Sequence, residues 1–166
     1  MRGADNKEPE PAMAGWFTTL RSAPAKWRRR NRTERILLME AFALLGLARL
    51  LVLTVPFRWL ARTLGAHMRE SAQDTASAEL ETARMIGQAV VSAAGNTPWE
   101  SVCLPQAVAG LWMLKRRGIA ATLYLGVVKT DRTPERMAAH AWLRCGDRIL
   151  TGAAGHTQFT IVAMFS

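Results

Sequence analysis

The sequence predicts an α+β domain in which N-terminal helices are followed by a small antiparallel sheet. Three observations predict it. Apolar residues recur at helical spacing from Thr33 to about Arg117. After Gly118 the spacing changes to the alternation of half-buried strands. Gly146-Asp147, a tight-turn pair, joins two of the alternating runs, so those two strands must be antiparallel. Helices first and strands afterwards is the α+β order, because parallel βαβ units would interleave them.

Each element follows from local signals. Residues 1–32, with Pro9, Pro11 and Pro24 among small and charged residues, read as a basic tail holding at most a short helix near Trp16 to Leu20. The domain proper is expected over 33–166. Its apolar helical part, 33–65, holds one helix from Thr33 to about Thr54 and, after Pro56, a second from Phe57 to Leu64 that Gly65 stops. Residues 75–118 hold two more helices. The first is expected from about Thr75 to Ala94, capped by Asp74 or Thr75, with the small face Ala83, Gly87, Val90 and Ala94 suited to close packing against another helix. The second runs from about Val102 to Arg117. Pro105 has no amide hydrogen and must lie in its first turn, which sets Cys103 at or next to the first helical residue. Residues 119–166 form the sheet: Ala121–Lys129, Ala138–Cys145, Arg148–Thr151 and Gln158–Phe165.

Composition narrows the function. The chain has 166 residues, 49% of them hydrophobic, which is enough for one cored domain and excludes full disorder. Over half of the +9 net charge sits in residues 1–32, which carry eight Lys/Arg against three Asp/Glu. The run Lys26 to Arg32 can meet an anionic surface, although a solvated terminus is the plainer reading. No nucleic-acid recognition module follows it, so no nucleic acid is expected as partner. Two cysteines are too few for a disulfide framework and lack zinc-ligand spacing; no metal and no cofactor is expected. The polar opening lacks an apolar signal core, and the expected location is the cytoplasm. Ile36–Val55 is long enough to span a bilayer. Glu40 and Arg49, however, lie on opposite helix faces and cannot neutralise each other there. The segment is therefore expected to be a long, mostly buried helix, with membrane contact the less favoured reading.

Two residues carry the chemistry. A thiolate at a helix N-terminus is stabilised by unpaired amide hydrogens and by the positive end of the helix dipole, so Cys103 is a candidate nucleophile. His140 is the candidate base. Alternation places His140, Trp142 and Arg144 on one face of their strand and Ala141, Leu143 and Cys145 on the other, so Cys145 points away from the site. Taken singly, Cys103 reads as a small core residue and His140 as a structural histidine. His67 and His156 have no evident partner.

The residues Ser101-Val102-Cys103-Leu104-Pro105-Gln106-Ala107, Leu114-Lys115-Arg116-Arg117-Gly118-Ile119, Leu125-Gly126-Val127 and Ala139-His140-Ala141-Trp142-Leu143 resemble, in this order, the lasso-peptide maturation protease, the B protein of lasso-peptide biosynthesis. The likeness spans about residues 33–166. It implies a transglutaminase-like, papain-related cysteine protease core and a leader peptidase acting on a ribosomally made precursor peptide. Cys103 would form the acyl-enzyme and His140 would act as base and then acid. The resemblance also implies an ATP-dependent lasso cyclase as a further partner.

Two departures stand out. The family commonly carries an acid about twelve residues after the histidine, yet this neighbourhood reads Ile149-Leu150-Thr151-Gly152-Ala153. Asp147, the nearest acid, belongs to the turn signal; Thr151, a backbone carbonyl or a buried water remain as ways to orient His140. About 30 residues precede the first helix, too few for the leader-binding module that some members carry, so a separate leader-recognition protein is expected. Two alternatives stay open on the same residues: a transglutaminase-like acyl transferase or amidase, and a non-catalytic peptide-binding scaffold.

Overall fold

The computed structural model describes residues 30–99, 101–129 and 137–166. The expected tail, including any helix near Trp16, lies almost wholly outside them. The chain divides into two units at Arg35/Ile36. In the described part of the first, the Asn31 side-chain oxygen accepts the Glu34 amide hydrogen at 2.8 Å and caps the first helix. The second unit holds the rest of that helix and every other element.

Four helices come first: α1 (Arg32–Thr54), α2 (Phe57–Leu64), α3 (Ser77–Ala94) and α4 (Cys103–Lys115). Four strands follow: β1 (Thr122–Lys129), β2 (Met137–Cys145), β3 (Arg148–Thr151) and β4 (Thr160–Phe165). They form one sheet in the order β3-β2-β1-β4, and each neighbouring pair is antiparallel. The fold is the α+β arrangement that the change of period predicts.

Helices α3 and α4 pack on the sheet through glycines. A Cβ at Gly87 of α3 would lie 3.0 Å from Leu150 on β3, and one at Gly110 of α4 would lie 2.7 Å from the Leu143 side chain on β2. The absent side chains let helix backbone approach strand directly. The small face of α3 therefore serves a strand as well as the neighbouring helix it was expected to meet. The core between these layers is closed by Ile86, Val90, Leu111, Leu114, Leu123 and Leu143.

Two boundaries and one contact differ from expectation. Helix α3 begins at Ser77, behind an Ala76 N-cap with no side-chain cap. Thr75 is held instead against the β2–β3 turn, where its hydroxyl would lie 3.2 Å from a Cβ at Gly146. Strand β4 begins at Thr160, because Gly155 adopts φ +72° and His156–Gln158 close a 3-10 turn. His67, expected without a partner, bridges to Phe165, and its ring lies 5.2 Å from that of Phe165.

Helix α1 also differs. Its inner face, Leu37, Leu38, Ala41, Leu45 and Ala48, is buried, but only 22% of its most apolar stretch is. An all-round apolar helix predicts burial on every side. Among the described residues, however, the domain covers one face only. Glu40 sits at the edge of that face, paired with Arg117 at 2.7 Å and Arg116 at 3.3 Å. This ties α1 to the C-terminal end of α4. Glu40→Ala is expected to cost about 1 kcal/mol, since the pair is only partly shielded from water. Thermal melts of both forms at low and high salt would check it, the difference shrinking with salt.

Candidate active site

Cys103 is the first residue of α4, as the Pro105 argument requires. Its preceding loop is tied down by side chains. Thr97 Oγ1 donates to the Ala94 or Trp99 carbonyl (2.9 and 2.8 Å) and lies 2.9 Å from Ser101 Oγ. Gln106 Nε2 donates to the Ser101 carbonyl at 2.6 Å. No side chain caps α4 at Val102. Pro105 has no N–H, and the Gln106 N–H is taken by the Val102 carbonyl. Helix geometry thus leaves the Cys103 amide as a donor that the helix does not use itself. The Cys103 side chain is half-buried and packs against the apolar core.

His140 lies on β2, directly across from Gly126 of β1. Its Nε2 is 2.8 Å from the Gly152 carbonyl oxygen. A carbonyl only accepts, so Nε2 carries the hydrogen and, in the neutral ring, Nδ1 is left as the basic nitrogen. Among the described residues Nδ1 has no hydrogen-bond partner. Gly152 is the residue twelve positions after His140, where an acid was expected and none occurs. A backbone carbonyl therefore does the orienting, which was one of the options left open by the sequence. Asp147 is exposed in the β2–β3 turn.

Aromatic rings hold the imidazole on its other sides. Trp142 lies 6.0 Å away and near-parallel, and Phe159 lies 5.0 Å away. Trp142 stacks in turn on Tyr124 at 5.4 Å, and His156 flanks it at 5.8 Å. Gly126 makes room for the cluster: a Cβ there would lie 2.8 Å from Phe159 and 2.9 Å from the Trp142 ring. His156 is fixed by its own hydrogen bond from Nδ1 to the Ala153 carbonyl at 2.7 Å. The roles of Phe159 and Gly126 had no local signal, since both depend on which strand lies alongside β2.

The same sheet face continues into a polar anchor. Buried Arg144 donates to Tyr124 Oη at 2.8 Å, to the Gly146 carbonyl at 2.5 Å and to the Ser71 carbonyl at 3.0 Å. The Tyr124 hydroxyl donates to Glu70. These bonds pull the segment after α2 over the face that carries His140. Cys145 points the other way, into the core, with its thiol 3.4 Å from the Ala120 carbonyl.

The alternation of β2 is thus as expected, and it has a consequence. The body of α4 packs through Gly110 on the Leu143 face, whereas His140 belongs to the Trp142 face. The described residues show no hydrogen bond between the Cys103 thiol and His140. A groove of about 430 Å³ between α3 and β3, lined by Gly87, Val91, Arg148 and Leu150 among others, contains neither residue.

Two buried acids set an alkaline limit on stability. Burial first, and Glu79 second, push the Cys145 thiol above its ordinary 9.0. Burial first, then the Glu70 bond, push Tyr124 above its ordinary 10.0. Both are neutral when protonated, so the folded state holds these protons more tightly than the unfolded chain. Their contribution is complete below about pH 9 and is lost as pH rises through the folded values. The melting temperature is expected to be flat from neutral pH to about 9 and to fall beyond it. Cys145→Ala should soften the first part of that fall.

A family model described as transglutaminase-like superfamily matches residues 51–164, over two thirds of the chain. The match takes in the last turn of α1, α2, both glycine-packed helices and the sheet up to Met164. No curated protein and no solved structure gave a significant match.

Proposed function

The chain belongs to the transglutaminase-like superfamily, whose members include cysteine proteases and acyltransferases, and on that premise we propose that it is a cysteine peptidase. The proposed task is removal of the leader from a ribosomally made lasso-peptide precursor in the cytoplasm. A separate leader-recognition protein delivers the precursor, and an ATP-dependent cyclase takes the freed core. The observation that carries the reading is the state of His140: Nε2–H is committed to the Gly152 carbonyl, and Nδ1, with no hydrogen-bond partner among the described residues, can serve as base.

In the proposed reaction Nδ1 of His140 takes the Cys103 thiol proton, and the sulfur attacks the carbonyl at the leader–core junction. The Cys103 amide, unused by α4, donates to the oxygen that becomes negative. The imidazolium then protonates the leaving amine of the core as the C–N bond breaks, and the leader remains as a thioester. Water, deprotonated by His140, attacks the thioester and releases the leader carboxylate and the thiol. The Gly152 carbonyl holds Nε2–H throughout and so fixes the ring's orientation and tautomer, part of what a carboxylate would provide.

The test is incubation of the protein with a leader–core precursor, with and without the recognition protein, followed by mass spectrometry. Two fragments whose masses sum to that of the precursor plus one water are expected. A precursor that instead gains an added amine would assign the site to acyl transfer. An unchanged precursor in the presence of the recognition protein would leave a binding scaffold.

A further inference from the structure

We propose that the outward face of α1, together with α2, seats the protein on an anionic lipid surface, with α1 lying in the plane of the membrane. Three observations carry this.

First, the face is exposed and apolar along the length of the helix. Met39 is 64% exposed, Leu50 57% and Leu53 67%, with Ile36, Phe42 and Leu47 beside them. Phe57 and Trp59 of α2 extend the exposed set. At about 100° per residue the α1 side chains fall on one arc, and no polar side chain that needs a hydrogen-bond partner interrupts it. Lipid accepts such a surface without pairing requirements, whereas protein interfaces typically carry a hydrogen bond for every 100–200 Å².

Second, the charge around the face is net positive. Residues 36–65 contain a single acid, Glu40, and three arginines, Arg49, Arg58 and Arg62. Glu40 is already neutralised by Arg117 and Arg116. Arg62 stacks over the Trp59 ring at 4.3 Å, a cation beside an aromatic that suits the headgroup layer. In the sequence, five arginines, Arg28, Arg29, Arg30, Arg32 and Arg35, and one acid, Glu34, come before this stretch. An anionic headgroup layer complements the net positive charge.

Third, the helix cannot cross the bilayer while the domain is folded. Leu38, Ala41, Leu45 and Ala48 belong to the domain core, and the Glu40–Arg117 pair ties α1 to α4. Length and apolarity alone would allow a span; the buried inner face leaves only a surface position.

The experiment is flotation of the full chain with vesicles of phosphatidylglycerol and phosphatidylcholine, and with phosphatidylcholine alone. The protein should rise with the anionic vesicles, less with the neutral ones, and less at high salt. Met39→Glu combined with Leu50→Glu should lower the partition by about tenfold or more at unchanged circular dichroism, since both positions leave lipid and gain repulsion. A protein that stays at the bottom of the gradient at low salt would overturn the proposal. So would a doubly substituted chain that floats as well as the parent, because the arginine run would then suffice alone. A stable dimer that ignores vesicles and dissociates on the same substitutions would assign the face to a second copy. If the double variant unfolds, Leu50→Cys in a Cys103→Ser background, labelled with an environment-sensitive dye, decides: a blue shift with anionic vesicles is expected, and an unshifted spectrum refutes lipid seating.

Discussion

Cys103→Ala should reduce precursor cleavage to background, a loss on the order of 10³-fold or more, while leaving the fold intact. The size follows from the role proposed for the sulfur. No other described thiol can replace it: Cys145 faces the core on the opposite side of β2 and is fully buried. The structural cost is small, because Cys103 is half-buried at a helix end and loses one atom. A melt within about 1 kcal/mol of the parent is expected. Cys145→Ala is the control, which should keep cleavage while changing the alkaline melt. Cleavage at normal rate by the Cys103→Ala protein would refute the peptidase reading outright, and the transferase reading with it, since both use the same sulfur.

Gly152→Ala should be nearly as damaging to turnover, through geometry rather than through lost chemistry. Gly152 adopts φ +71°, a region that costs side-chain-bearing residues about 1 kcal/mol or more. A Cβ there would also overlap the Ala141 carbonyl oxygen and lie 3.0 Å from the Trp142 Cα. Those atoms are backbone, so the β3 end must move, and with it the carbonyl that holds Nε2 of His140. A misplacement of that kind costs roughly 10²-fold in rate, against about 1–3 kcal/mol in stability. The kcat should carry most of the loss and KM little, because the ring loses the acceptor that orients it. Unchanged kcat in a destabilised protein would show that Gly152 is structural only. Gly152→Asp tests the family likeness from the other side. The acid that the resemblance to the lasso-peptide protease implies at this spacing cannot be seated on this backbone without the same clash, so it is expected not to raise activity.

The lesson from α1 concerns neighbours. Periodicity identified the helix and its ends, and the Pro56 break set α2 in place. Apolarity alone could not say whether its outer side meets protein, lipid or water, since all-round apolarity fits a core helix and a lipid-facing one equally. Thr75 illustrates the same point at smaller scale: as a local signal it is a helix cap, but in the fold its side chain packs beside Gly146 of a turn some seventy residues later.

From sequence alone came the order of elements, the strand parity of β2 and the position of Cys103, because each depends on contacts within a few residues: a proline without an amide hydrogen, an alternation of period two, a turn glycine. Tertiary structure alone decided what orients His140, which rings enclose it, and which side of α1 stays open. Those properties belong to atoms far apart in sequence, the Gly152 carbonyl and the Phe159 ring among them. A backbone carbonyl leaves no trace in composition; only the folded chain, by its strand order and register, brings it within hydrogen-bonding distance of an imidazole.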